Sequence, residues 1–165
     1  MPLQIRRARA NDLEVVIEFN RRLAWETEGY TLDPVLLRAG VETVLNEQAD
    51  AHYLVAEADG RVIGQLMLTR EWSDWRNGWF YWIQSVYVAA EHRGQGVFRA
   101  LYAAAVRFVE DQPNAVGLRL YVEHNNHSAQ ATYARLGMKH AGYLVLEHAV
   151  RNALERNASP SGSAG

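Results

Sequence analysis

The stretch Glu91-His92-Arg93-Gly94-Gln95-Gly96-Val97-Phe98-Arg99-Ala100-Leu101 decides the fold. Before it, Trp79 to Val88 is a run of aromatic and β-branched residues that reads as a strand. After it, Val97, Leu101, Ala104, Ala105 and Phe108 recur at helical spacing. Two glycines beside an arginine therefore sit at a strand-to-helix junction. Glycine adopts positive φ and lets backbone approach a ligand. The helix start adds unpaired N–H groups and the positive end of the helix dipole. Together they form a cradle for a phosphate or pyrophosphate.

Working outward, the 165 residues read as one domain over 1–156, with a flexible tail at 157–165 rich in Ser, Gly and Ala. Hydrophobic residues make up 48% and charged residues 22%, the balance of a soluble globular chain. A formal net charge of −2 argues against a nucleic-acid binder that works by bulk attraction. The absence of cysteine excludes disulfides, thiolate metal sites and a Cys nucleophile. No metal is expected. No apolar run follows the N-terminal charges and none is long enough to span a bilayer, so a cytoplasmic protein without a membrane partner is expected.

Upstream, Leu3 to Ala8 reads as a strand, and Asn11 as the N-cap of a helix with Glu14 at the capping-box position. That helix ends near Glu28-Gly29. Asp33-Pro34 starts a second, with Val35, Leu36, Ala39, Val44 and Leu45 as its apolar stripe. His52 to Glu57 and Val62 to Thr69 form a hairpin around Asp59-Gly60. Glu71 to Gly78 reads as a polar and aromatic connection to the central strand. Downstream, Val116 to Val122 is a strand, and Asn126 caps a helix over 127–136 closed by Gly137. Two short strands, around Met138 to His140 and Tyr143 to His148, are expected to close a mixed α/β domain. Exposed aromatic strands raise the expectation of a homodimer.

Two familiar glycine loops fail on context. A nucleotide-hydrolase loop needs a Lys followed by Ser or Thr, and no Lys lies near Gly94 or Gly96. A dinucleotide fold places its glycines after the first strand of a βαβ unit, not after a fourth strand that follows a hairpin. Arg93, Gly94, Gln95, Gly96, Val97 and Phe98 instead resemble the coenzyme A pyrophosphate motif of the GNAT-type N-acetyltransferases, Gln/Arg-x-x-Gly-x-Gly/Ala, with Phe98 departing from the final small residue. Asn126, Ala129, Tyr133, Gly137 and Met138 resemble that family's Asn-x-x-Ala-x-x-x-Tyr-x-x-x-Gly-Phe segment, with Met for the last aromatic.

The resemblance implies the GNAT acyl-CoA N-acyltransferase fold, a central mixed sheet with splayed fourth and fifth strands flanked by helices. It implies acetyl-CoA as cosubstrate, its pantetheine along Val86, Tyr87 and Val88 and its pyrophosphate on Arg93 to Phe98, with Asn126 and Ala129 nearby. Tyr133 would be the general acid that protonates the departing thiolate. Asn126 could bond pantetheine, cap its helix, or do both. The expected reaction is acetyl transfer to a primary amine, with a small molecule as acceptor. A protein N-acetyltransferase and a non-catalytic or regulatory acyl-CoA-binding module are the alternatives.

The base is harder to place. Alternation puts Phe80, Trp82, Gln84, Val86 and Val88 on one strand face, and none is a carboxylate. Candidates for base or acceptor contact are Glu71 or Asp74 and Glu28, with Glu26, Glu123 and His124 behind them; a water chain or an already neutral amine is equally compatible. Trp25, Tyr30, Trp72, Trp75, Trp79, Tyr81 and Trp82 read either as packing or as aromatic faces for a cationic acceptor.

Overall fold

A computed structural model describes residues 2–150. The tail expected at 157–165 lies outside the described residues, as does the end of the domain expected to reach 156. The elements in order are β1 (Leu3–Arg7), α1 (Leu13–Glu28), α2 (Pro34–Leu45), β2 (Ala51–Ala58), β3 (Arg61–Ser73), β4 (Gly78–Val88), α3 (Val97–Glu110), β5 (Ala115–Leu120) and α4 (His127–Arg135). The five strands form one sheet in sequence order; β1 to β4 run antiparallel and β5 lies parallel to β4.

The sheet buries both faces. The α3 stripe Val97, Leu101 and Ala105 packs on Leu54, Leu66, Leu68 and Ile83. On the other face α1 and α2 bring Val16 and Val41 against Tyr53 and Val55. Fully burying a Leu, Ile or Val contributes about 1.5–3 kcal/mol, so these two layers carry most of the apolar driving force. Gly64 lets α3 come close: a Cβ there would lie 3.1 Å from Val97 and 3.2 Å from the Tyr87 carbonyl.

Several local expectations are met by visible chemistry. Asp33 caps α2 by accepting from the N–H groups of Val35 and Leu36 at 2.9 and 3.0 Å. Asp59 and Gly60 both take positive φ, as a tight type I′ hairpin turn demands. Gly29 ends α1 in the left-handed region.

Four expectations are corrected. Asn11 does not cap α1. Asp12 organises that corner instead, accepting from the Arg9 N–H at 2.7 Å and from both terminal nitrogens of Arg6. Glu71 to Gly78 is not a long connection, because β3 runs to Ser73 and pairs with β4 down to Gly78, with Trp72 edge-on to Trp79 at 4.9 Å. An aromatic cross-strand pair of this kind holds a hairpin end together. The α2 stripe is corrected in its first half: Val44 and Leu45 pack on the core as expected, but Leu37 and Val41 join them while Val35 is 75% exposed. Among the described residues no strand follows β5; Tyr143 to Leu146 touch little, Leu144 and Leu146 being 91% exposed. Strand propensity there meets no packed surface or paired edge.

Candidate active site

Strands β4 and β5 part after the pair Ile83–Leu120. From Gln84 to Val88, β4 is paired on one side only, by β3. Ala89 donates to the Ile63 carbonyl of β3 at 2.9 Å. By alternation, the main-chain groups of Val88 and Val86 face the open side.

A bulge lies where the strands part. Gln84 pairs with Met67 and Tyr87 with Gln65, so Ser85 and Val86 together oppose Leu66. Ser85 sits at φ +51, a costly conformation for a residue with a side chain. Gln65, fully buried, donates through Nε2 to the Ser85 carbonyl at 3.1 Å. Its Oε1 is buried without a protein partner. The extra residue reverses the inward and outward pattern. Ile83 packs against the α3 layer, and so do Val86 and Val88, while Tyr87 packs with Phe19 of α1. The single face expected for Phe80, Trp82, Gln84, Val86 and Val88 is therefore split at Ser85.

Beyond β4 the chain turns through Ala90–His92 and two glycines at φ +73 and +83 into α3. A Cβ on Gly94 or Gly96 would touch nothing within 4 Å. Glycine is needed here for conformation, not for space. Gly96 caps α3 without a side-chain acceptor, and no acidic residue stands in the first turn. The early N–H groups of α3 thus face out of an electropositive helix end. These residues fit an anionic pyrophosphate.

Arg93 does not reach out toward that loop. Its Nε donates to the Val88 carbonyl at 2.9 Å and its Nη2 pairs with Glu26 of α1 at 2.7 Å. The Tyr87 hydroxyl donates to the other Glu26 oxygen at 2.9 Å. Desolvation raises the Glu26 carboxyl, but the hydrogen bonds from Arg93 and Tyr87 together outweigh it and leave it below the usual 4.5. Glu26→Gln should free Arg93 for an anionic ligand. An exposed ion pair competes only weakly, so affinity for coenzyme A should rise about two- to fivefold by calorimetry. Unchanged or weaker binding would show that the pair does not compete.

Tyr133 of α4 sits edge-on to Phe98 at 5.6 Å. The irregular residue of the glycine motif thus props the tyrosine of the second motif. Burial pushes the Tyr133 phenol above its ordinary 10. Asn126 caps α4 by accepting from the Ala129 N–H at 3.1 Å.

The expected base candidates are dispersed. Glu71 is paired opposite Phe80, so Val86 lies about 20 Å further along β4 at ~3.3 Å per residue. Its nearest cation is Arg119 at 3.9 Å. Asp74 lies in the β3–β4 turn and accepts from Trp75 N–H. Glu28 ends α1 on the surface, and Glu123 accepts from Asn125 N–H. The carboxylate brought to β4 is Glu26, which the sequence places no nearer than Glu28. Two rings near the hairpin are covered by the protein's own arginines: Arg70 lies 4.0 Å from Trp79 and Arg119 3.6 Å from Phe80. Trp75 is exposed. A signal for the bulge was present in the sequence: Gln84-Ser85, two consecutive polar residues, interrupts the aromatic alternation. Among the described residues no group of three or more His, Asp or Glu is arranged to hold a metal ion, and no helix is long and apolar enough to cross a membrane.

A parting pair of strands, a bulge at the divergence and a glycine cradle opening the next helix define an acyltransferase-type architecture. The profile of the acetyltransferase (GNAT) family matches residues 17–138, and the chain belongs to that family. A solved structure described as a possible acetyltransferase from Clostridium difficile 630 is 43% identical, with a TM-score of 0.84 over 91% of this chain and 99% of that one. A Bacillus subtilis (strain 168) protein named putative ribosomal protein bS18 alanine N-acetyltransferase is 33% identical over 98 residues, 59% of this chain and 60% of the relative. The match thus spans less than two thirds of that relative's length. An N-alpha-acetyltransferase of Sulfurisphaera tokodaii (strain DSM 16993 / JCM 10545 / NBRC 100140 / 7) is 28% identical over 88% of this chain and 84% of its own.

Proposed function

We propose that this chain is an acetyl-CoA-dependent N-acetyltransferase that acts on a primary amine of a small molecule by direct attack on the thioester. The observation that carries this reading is the stretch of β4 beyond Ser85 that β5 leaves open on one side, running on into the Gly94–Gly96 cradle. Bound acetyl-CoA would supply an activated acetyl group and a thiolate leaving group.

The chain's own contribution divides by element. Backbone groups of Val86 and Val88 orient a partner that lies along the open edge, with Tyr87 between them turned to α1. Gly94, Gln95, Gly96, Val97 and Phe98 hold a pyrophosphate at the start of α3, with Arg93, paired to Glu26, beside them. Asn126 and Ala129 set the start of α4, which carries Tyr133. Tyr133 keeps its proton at neutral pH and donates it to the leaving sulfur. Among the described residues the carboxylate brought to this part of β4, Glu26, is held by Arg93 and Tyr87. The amine proton is then passed to water, or the amine enters neutral.

The names of the Bacillus subtilis and Sulfurisphaera tokodaii relatives favour a second reading, in which the acceptor is the α-amine of a protein chain. A reducing, cytoplasmic setting suits both. Calorimetry with acetyl-CoA, followed by release of free thiol against small amines and short peptides, tests the proposal. Tight acetyl-CoA binding without thiol release would leave a non-catalytic binding module; turnover with peptides alone would select the second reading.

A further inference from the structure

Between α1, α2 and the sheet lies a cleft of about 290 Å³. Leu36, Leu37, Val41, Val44 and Met67 make most of its wall, and Asn20, Tyr53 and Ser85 add the polar atoms. Among the described residues no charged side chain lines it. Ser85 is also the bulge residue where β4 and β5 part, so the cleft ends at the beginning of the open edge.

One wall residue stands out chemically. Gly40 lies inside α2, where glycine is a poor helix former. Glycine in a helix usually admits a closely packed neighbour. Here a Cβ would meet nothing within 4 Å. Gly40 is exposed and lines the cleft next to Val41. The exposed α2 residue Leu36 continues the apolar wall toward solvent.

We infer that this cleft selects the acceptor: it takes an uncharged apolar substituent about the size of one amino-acid side chain, with the amine at the Ser85 end. This rests on the acetyltransferase reading for the amine, but the cleft's preference is measurable without turnover. The volume is at the small end for ligand sites, which suits one isobutyl or phenyl group and not a polycation. The lining offers no carboxylate to pair with added positive charges.

The test is calorimetry of 2-phenylethylamine, leucinamide and spermidine against the whole protein saturated with coenzyme A, for wild type, Gly40→Ala and Gly40→Leu. Gly40→Leu introduces a side chain into open space on a helix that gains propensity, so its thermal midpoint should not fall. The two apolar amines should bind wild type at least tenfold more tightly than spermidine. Gly40→Leu should weaken them at least tenfold with coenzyme A affinity unchanged, and Gly40→Ala should change them little. Equal or tighter binding of spermidine, or apolar binding indifferent to Gly40→Leu, overturns the inference. Thiol release is read in parallel: apolar binding lost in Gly40→Leu without any thiol release supports the cleft and refutes catalysis.

Discussion

Tyr133→Phe is expected to lower kcat about 10²- to 10³-fold while leaving coenzyme A affinity within about twofold. A positioned proton donor typically contributes 10²–10⁴-fold, and the ring's packing on Phe98 is retained when only the hydroxyl is removed. Burial holds the phenol above 10, so it is protonated through the neutral range and the rate should not titrate with it below that pH. Single-turnover kinetics with acetyl-CoA and a productive amine separate the steps. Loss confined to the chemical step places the hydroxyl at the leaving sulfur. An unchanged rate removes Tyr133 from the mechanism, and a matching loss of coenzyme A affinity makes it a binding residue.

The second large effect is on stability. Asp12→Asn should cost about 3 kcal/mol, the low end for removing one partner of a buried ion pair. Asp12 is only 5% exposed and accepts from Arg6 at 2.8 and 3.0 Å and from Arg9 N–H at 2.7 Å. Arg6 also reaches Glu57 of β2 at 2.7 Å, so the group ties β1, β2 and the start of α1 together. Asparagine keeps the shape but turns an amide donor toward a guanidinium. The hydrogen bond from Arg6 is the main cause of a depressed Asp12 carboxyl; burial opposes it and the Arg9 N–H assists. A depressed carboxyl stabilises the fold fully above its unfolded pKa, about 4. That stability is lost as pH falls through the lower folded value. Urea midpoints at pH 7 and pH 3 check this: the gap between wild type and Asp12→Asn should narrow at pH 3. A gap independent of pH would assign the cost to packing instead.

How much of the molecule could be read in advance depends on the range of the interactions involved. Asp33 before Pro34, Asp59-Gly60, Gly29 and the Gly94–Gly96 junction act within a few residues of themselves, and all form as the sequence implies. Asn11 was expected at the start of α1, but Asp12 takes that corner because a third residue, Arg6, draws it into the interior. The first half of the α2 stripe was misjudged, with Val35 and Leu36 in place of Leu37 and Val41, because only docking on Tyr53 and Val55 decides which apolar residues are covered. The aromatic segments were ambiguous for a similar reason: Arg119 lies far from Phe80 in sequence yet sits on its ring, and Arg70 reaches Trp79 only across the β3–β4 pairing.

By itself the sequence determined the order of elements from β1 to α4, the central hairpin, the glycine cradle and the family to which these belong, because turns, caps and periodicity are local properties. Only the tertiary structure decided the rest. It placed the bulge at Ser85, stabilised by Gln65 from the neighbouring strand, and so reversed the faces of Val86 and Val88. It brought Glu26 rather than Glu28 to Arg93 across 67 residues of chain, and it left an uncharged cleft beside Gly40. Each of these depends on groups meeting from separate strands and helices, and such meetings exist only once the sheet has formed and both its faces are covered.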